Sequence, residues 1–385
     1  MRITFLSHTG GRGGSTTLLN QLESWFRCAG CTTTVLLGDE IPSGSRLTHR
    51  RGLNWRSRIE TYRAEIEKTQ PSVVYSISGK DEFDVLRFLS FPRVRHVSSL
   101  EQHDYVDMPL WLSQLSPFVD GFTANTPDVL GQLRLHSPSG FRGWVAPYQL
   151  QTPIMRDVNL TRVNQPTEIC FIGRFEKQQK RVDWLPEIIS RCQSSGGNLH
   201  WHLYGDGPEG AALRHQIEAL QLDDLVTFEG WVNASSLYAR LPNHDIFFLC
   251  SAWEGLPIAM VEAMLAGLAC VVPADRAGMS YMLAEGGGWL YRATSPAGAA
   301  EALLSAVSDS NTLGRKRQEA QLLARRHFDP HLINDQLSEL FVGLRELKRH
   351  RPCAMLSNAP QLRSVTAVVK IRRRMRRLLK LLQPQ

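Results

Sequence analysis

The residues whose types and spacing suggest chemistry lie in Ser251-Ala252-Trp253-Glu254-Gly255-Leu256-Pro257-Ile258-Ala259-Met260-Val261-Glu262-Ala263-Met264. Asp245-Ile246-Phe247-Phe248-Leu249-Cys250, just upstream, has the length and composition of a buried parallel strand. Pro257 suits a first helical turn, and Ile258, Val261 and Leu265 repeat at helical spacing until Gly267 ends the run. Glu254 therefore falls in the strand-to-helix loop, and Glu262 about two turns into the helix. The N–H groups around Gly255, Leu256 and Ile258 gather at a helix start, which attracts anions such as phosphate. Two acids beside an anion site are unfavourable unless they accept hydrogen bonds from hydroxyl groups. A sugar nucleotide offers both features, a diphosphate for the helix start and hydroxyls for the carboxylates. The plainer alternative is an N-capping Glu254 and a solvated Glu262.

Three other segments carry candidate binding groups. His8-Thr9-Gly10-Gly11-Arg12-Gly13-Gly14-Ser15-Thr16 is a glycine-rich loop entering a helix capped by Ser15 or Thr16, with Gly13 and Gly14 free to approach a phosphate. Thr16 stands where the dinucleotide fingerprint has its third glycine, so a tight turn is an equal alternative, and no Gly-Lys-Ser/Thr follows to make a nucleoside triphosphatase loop. Gly173-Arg174-Phe175-Glu176-Lys177-Gln178-Gln179-Lys180-Arg181 is a cationic loop after a strand, and otherwise reads as charged surface. Leu100-Glu101-Gln102-His103-Asp104 follows another strand, where ligands bind in open parallel sheets, which makes His103 a candidate.

Apolar runs at Arg2–Ser7, Thr32–Leu37, Val73–Ile77, Val94–Ser99 and Phe122–Asn125 read as strands, with a helical pattern around Phe83 to Leu89. The arginine-rich stretch from Pro42 to Arg63 reads as including a surface loop. Val145-Ala146-Pro147-Tyr148 closes this series, and 151–166, with mixed polarity and two prolines, reads as a linker. A second strand-and-helix series starts at Glu168–Ile172. The expected architecture is α/β: residues 1–150 form one doubly wound parallel-sheet domain, and 167–327 form a second. A helix over 328–349 follows, with Leu332, Leu337, Leu340, Phe341 and Leu344 on one side, and a basic tail fills 350–385.

At 385 residues the chain exceeds one ordinary core. No signal peptide pattern is present, and the longest apolar run, Leu256 to Val272, is interrupted by Glu262 and ended by Pro273. These features lead to the expectation of a cytoplasmic enzyme, with seven scattered cysteines arguing against a disulfide framework. Cys28-Ala29-Gly30-Cys31 lacks a second pair to complete a zinc site and falls at a helix-to-strand turn. From Arg345 onward there are twelve Lys and Arg against Glu346 alone, a net of +11; subtracted from the total of +7, this leaves −4 for residues 1–344. A general nucleic-acid footprint is thus not indicated. Val368, Ile371, Met375, Leu378 and Leu382 of the tail fall at helical spacing among cations, as in a helix that lies on an anionic membrane or packs on protein.

The motif Ser-x-x-Glu254-Gly-Leu-Pro…Glu262-Ala-Met, two glutamates separated by seven residues, resembles the signature of the large retaining glycosyltransferase family of the GT-B fold, the family 4 type known as glycosyl transferases group 1. Gly205-Asp206-Gly207-Pro208, Phe228-Glu229-Gly230-Trp231-Val232, Gly278 and Gly286-Gly287-Gly288 fit the same pattern in order. The resemblance is strong over 168–292 and weaker over 1–150, where an Asn-Gly-type segment is missing near Tyr148. It implies two Rossmann-like domains facing across a cleft, with the terminal helix crossing back onto the first. It also implies metal-independent transfer of a hexose, with retention, from a nucleoside-diphosphate sugar to a glycan or lipid-linked acceptor in surface polysaccharide or glycolipid synthesis. No further cofactor is required.

By the same resemblance Arg174 and Lys180 hold the donor diphosphate, with Lys177 or Arg181 as substitutes because the loop spacing departs by about one residue. Glu254 and His103 attend the sugar, and Glu262 the ribose. The backbone at Trp231 and Val232 receives the base, and Gly255 and Leu256 meet the phosphates. Two other outcomes share the fold: a sugar-nucleotide epimerase, and a catalytically silent scaffold docked by its basic tail.

Overall fold

The computed structural model describes residues 1–7, 13–37, 55–78, 85–86, 95–99, 119–135, 137, 142–150, 165–274, 278–292 and 294–347. It divides into two compact units, Met1–Gln149 joined by the chain from Pro330, and Leu150–Asp329.

In the first unit β1 (Arg2–Ser7), β2 (Thr32–Leu37), β3 (Val73–Ser78), β4 (Arg95–Ser99), β5 (Gly121–Ala124) and β6 (Gly143–Val145) form one parallel sheet in the order β2-β1-β3-β4-β5-β6. The order reverses between β1 and β3, the doubly wound switch point. Helix α1 (Gly14–Cys28) buries Leu18, Leu19, Leu22 and Phe26. Its N-cap is Gly13, with no side-chain cap bond. The expected Ser15 or Thr16 cap is therefore corrected: the helix begins earlier, because the Gly13 carbonyl already accepts from Thr17 N at 3.0 Å.

Of the stretch from Pro42 to Arg63, read as including a surface loop, residues 42–54 lie outside the described residues. Helix α2 (Trp55–Thr69) takes its last part, because Ile59, Tyr62 and Ile66 recur on one face and are fully buried. Helix α3 (Pro127–Leu135) follows β5.

The second unit holds β7 (Thr167–Ile172), β8 (Leu199–Tyr204), β9 (Val226–Gly230), β10 (Ile246–Phe248), β11 (Ala269–Pro273) and β12 (Gly288–Tyr291), ordered β12-β11-β10-β7-β8-β9 and parallel throughout. This is the order of a mononucleotide-binding sheet wound twice, with its switch point between β7 and β10. The central strands are apolar on both faces, as crossover helices require: every residue of β11 is buried. Around the sheet lie α4 (Leu185–Ser194), α5 (Gly210–Ala219), α6 (Ala234–Arg240), α7 (Ile258–Leu265), α8 (Gly278–Met282), α9 (Pro296–Val307) and α10 (Ser310–His327).

Helix α11 (Pro330–Glu346) packs with the first unit, burying Ile333, Leu337, Leu340 and Leu344. Leu332, expected on that inner side, is instead 40% exposed, since Ile333 holds the inward position. Trp25 Nε1 of α1 donates to Asn334 Oδ1 at 3.3 Å, and its ring meets Phe341 edge-on. Among the described residues no helix is long and apolar enough to cross a membrane. His103, the linker residues 151–164 and the basic tail lie outside the described residues.

Candidate donor-binding site

The loops after β7 and β10, the strands at the switch point of the second sheet, carry the candidate residues. The segment that carries the second of these loops is held at both ends. The Arg317 guanidinium of α10, buried, donates to Asp245 Oδ1 at 2.7 Å, to the Gly267 carbonyl at 2.9 Å and to the His244 carbonyl at 3.3 Å. One cation thus ties the start of β10 to the end of α7 and fixes both ends of the segment that contains Glu254.

The loop after β7 is shaped by the Gly205-Asp206-Gly207 turn. Gly173 N donates to the Tyr204 carbonyl, Phe175 N to the Asp206 carbonyl, and Glu209 N to the Phe175 carbonyl, at 2.9–3.0 Å. Gly205 sits at φ +141°, and a Cβ there would run into the Gly173 carbonyl oxygen. The approach needs a glycine on both counts. Glu176 then accepts from Gln179 N and Lys180 N at 2.9 Å each, which coils the segment and turns Lys180 inward. Ala252 N donates to the Gln179 carbonyl at 2.7 Å and joins the two loops.

This brings Lys180 Nζ within 2.5 Å of Glu254 Oε1, both side chains largely buried. Gln179 Nε2 reaches Glu254 Oε2 and the Trp253 carbonyl, each at 3.3 Å, while its Oε1 accepts from Arg174 at 3.3 Å. Arg174, Lys180 and Glu254 are thus parts of one network. Of the other two cations of the loop, Lys177 pairs with Asp183 at 3.4 Å, and the Arg181 guanidinium lies 4.3 Å over the Trp184 ring. Ser251 is buried, and its hydroxyl has no hydrogen-bond partner among the described residues.

Pro257 caps α7 from an extended conformation instead of occupying its first turn; this corrects the boundary by one residue. Gly278 N donates to the Gly255 carbonyl at 3.1 Å, and a Cβ on Gly278 would come within 2.9 Å of that oxygen, so the Gly255-Leu256 turn is packed from behind. Glu262, a turn further along α7, is buried and does not join the Glu254 network. Tyr238 of α6 donates to its Oε1 at 2.7 Å. Burial raises the Glu262 carboxyl above its ordinary range, and the bond from Tyr238 partly offsets this. Trp231, half exposed, and Val232 follow β9 at the edge strand of the same sheet. Gly13 and Gly14 start α1 in the first unit.

Gln179, Glu176 and Tyr238 were not among the residues singled out from sequence. Gln179 stands beside Lys180 in a segment already flagged, and the three- and four-residue spacing from Glu176 was the available signal. Tyr238 gave none, since its contact with Glu262 is made between two helices.

Residues 166–309 match the family model described as Glycosyl transferases group 1. The amylovoran biosynthesis glycosyltransferase AmsK of Erwinia amylovora is 28% identical over 194 residues, 47% of this chain and 46% of that protein. The chain spans about half the length of the curated relatives it matches. Among solved structures, sucrose-phosphate synthase from Thermosynechococcus elongatus superposes with a TM-score of 0.71 at 15% identity, covering 90% of this chain and all of that one. Anabaena HepE in complex with UDP and glucose gives 0.66 at 17% identity, covering 89% and 100%. These likenesses establish the fold, an α/β GT-B architecture of two Rossmann-like units.

Proposed function

We propose that the chain is a retaining glycosyltransferase that moves a hexose from a nucleoside-diphosphate sugar to a hydroxyl of a glycan or lipid-linked acceptor in surface polysaccharide or glycolipid synthesis. The observation that carries this reading is the Lys180–Glu254 pair at the switch point, with Arg174 linked to it through Gln179. A diphosphate needs fixed cations, and a sugar needs an acceptor-only group for its hydroxyls. The network offers both within two hydrogen bonds.

In the proposed reaction Arg174 and Lys180 stabilise the charge that develops on the leaving diphosphate, aided by the start of α7 at Gly255 and Leu256 and by Gly13 and Gly14. The Ser251 hydroxyl is a further donor available to that anion. Arrival of the phosphates draws the Lys180 ammonium toward them and frees Glu254 to accept from sugar hydroxyls. Glu262, buried and accepting from Tyr238, retains one oxygen for the ribose. The backbone at Trp231 and Val232 receives the base, and His103 attends the reacting face of the sugar. No side chain is assigned as a covalent nucleophile. The departing phosphate takes the acceptor proton, and the cations replace a metal in this step.

The test is a thermal-shift panel of UDP-, GDP- and ADP-sugars against the purified chain, with Glu262→Ala alongside. A shift with one donor, lost in the variant, supports the reading and names the base. A donor sugar altered without an acceptor would point to an epimerase, and no shift with any donor to a silent scaffold.

A further inference from the structure

At the other end of the second sheet, His200 and His202 of β8 point to one face beside Glu168 of β7, which is in register with His200. Glu168 Oε2 lies 3.1 Å from His200 Nδ1 and 2.9 Å from His202 Nε2, and those two nitrogens are 3.1 Å apart. The three side chains are only 19–27% exposed, so solvent reaches them from one side.

The outer contacts fix how these atoms face one another. His202 Nδ1 is 2.9 Å from Glu229 Oε1, and Glu229 Oε2 is held by Arg240 at 2.6 Å. His202 lies between two acceptor-only carboxylates: as an imidazolium it donates to both, whereas with a metal ion at the centre it keeps the Nδ1 proton on Glu229 and turns the Nε2 lone pair to the ion. His200 Nε2 has the Thr227 hydroxyl at 3.3 Å, which leaves its Nδ1 for the same centre. Three potential ligand atoms thus converge within 3.1 Å of one another. Ring protons donated to Glu168 can close this triangle, and a metal ion with bonds of about 2.1 Å to each corner can replace them.

We propose that Glu168, His200 and His202 bind a divalent transition-metal ion of the zinc class, with open positions toward solvent. Two imidazoles and one carboxylate suit Zn²⁺, Co²⁺ and Ni²⁺ better than the all-oxygen cations. Glu229 and Thr227 orient the two rings from β9, and His244 packs edge-on against His202. The ion joins β7 to β8 directly and β9 through Glu229. Glu168 precedes Arg174 by six residues, about 20 Å along an extended strand, so this ion takes no part in donor binding.

The experiment uses the full chain stripped with chelator and dialysed, then titrated calorimetrically with ZnCl₂ and, separately, followed by visible absorption with CoCl₂. One equivalent is expected to bind at micromolar affinity or tighter, raising the melting temperature by several degrees. His200→Gln/His202→Gln is expected to lose the Co²⁺ spectrum and at least tenfold in Zn²⁺ affinity. Glu168→Gln, which preserves size, is expected to do so in part and serves if the double variant misfolds. No binding up to millimolar metal would show that the triad is closed by a proton and overturn the proposal. So would binding unchanged in the variants, which would place the ion on cysteine thiols. Neither result bears on the donor site, whose variants are separate.

Discussion

Lys180 Nζ and Glu254 Oε1 lie 2.5 Å apart with side chains only 13% and 8% exposed, so each holds the other's charge out of water. Lys180→Met strands the Glu254 carboxylate and is expected to lower stability by about 3 kcal/mol, whereas adding Glu254→Gln recovers part of that loss. Transfer is expected to fall by about 100-fold in either single variant and not to recover in the double one. Urea unfolding and initial-rate assays measure the two. Additive stabilities would mean that the contact carries no energy.

Arg174 and Gln179 divide the two duties of the network. Arg174→Ala is expected to weaken nucleoside-diphosphate binding about tenfold. Gln179→Ala removes the bonds to Glu254 and the Trp253 carbonyl, and is expected to lower kcat about tenfold with little change in diphosphate affinity. Calorimetry with the free diphosphate and steady-state kinetics separate these effects. A loss of affinity in both variants would assign Gln179 to the phosphates.

Glu262 couples the site to pH. Burial lifts its folded pKa above the ordinary value near 4.5, so the folded chain holds this proton longer than the unfolded chain. Its contribution is most favourable below that value, declines as pH rises from it through the raised folded pKa, and stays low at neutrality. Glu262→Gln keeps an acceptor for Tyr238 and is expected to remove this decline. It should raise the melting temperature at pH 7 by about 2 °C and weaken donor binding about tenfold. Melting curves from pH 4 to 8 are the check; parallel pH dependence in both proteins would show that Glu262 is solvated.

The basic tail gives a separate expectation. Deleting 351–385 should leave transfer to a soluble acceptor unchanged and reduce binding to vesicles containing anionic lipid, each cation near the surface contributing about 1 kcal/mol. Co-sedimentation measures this, and equal binding with and without the tail would refute it.

Much of the second unit was legible because its chemistry is local. The strand ends, the glycine turns and the loop with Arg174 and Lys180 are consecutive in the chain, and buried parallel strands announce themselves as apolar runs. What stayed hidden depends on contacts between distant segments. The ring nitrogens of His200 and His202 meet Glu168 only through the β7–β8 register, and Tyr238 meets Glu262 across two helices. Helix α2 was masked by its arginines, since three buried positions in a charged sequence give a weak periodic signal. That Lys180, and not Lys177 or Arg181, meets Glu254 depends on the coil formed by Glu176, which no spacing argument supplies.

Gly205 tests whether the loop's shape, beyond its side chains, sets donor affinity. Its φ of +141° and the Gly173 carbonyl against its Cβ position leave no room for a methyl group, although Gly205 is not assigned to the donor. Gly205→Ala is expected to cost about 2 kcal/mol and, by shifting Gly173 and Arg174, to weaken diphosphate binding. Gly131→Ala, inside α3 with nothing near its Cβ position, is the control and is expected to stabilise by about 0.5–1 kcal/mol without touching affinity. Denaturation and calorimetry on both variants decide it: retained affinity in Gly205→Ala would show that Arg174 reaches its position without the glycine turn.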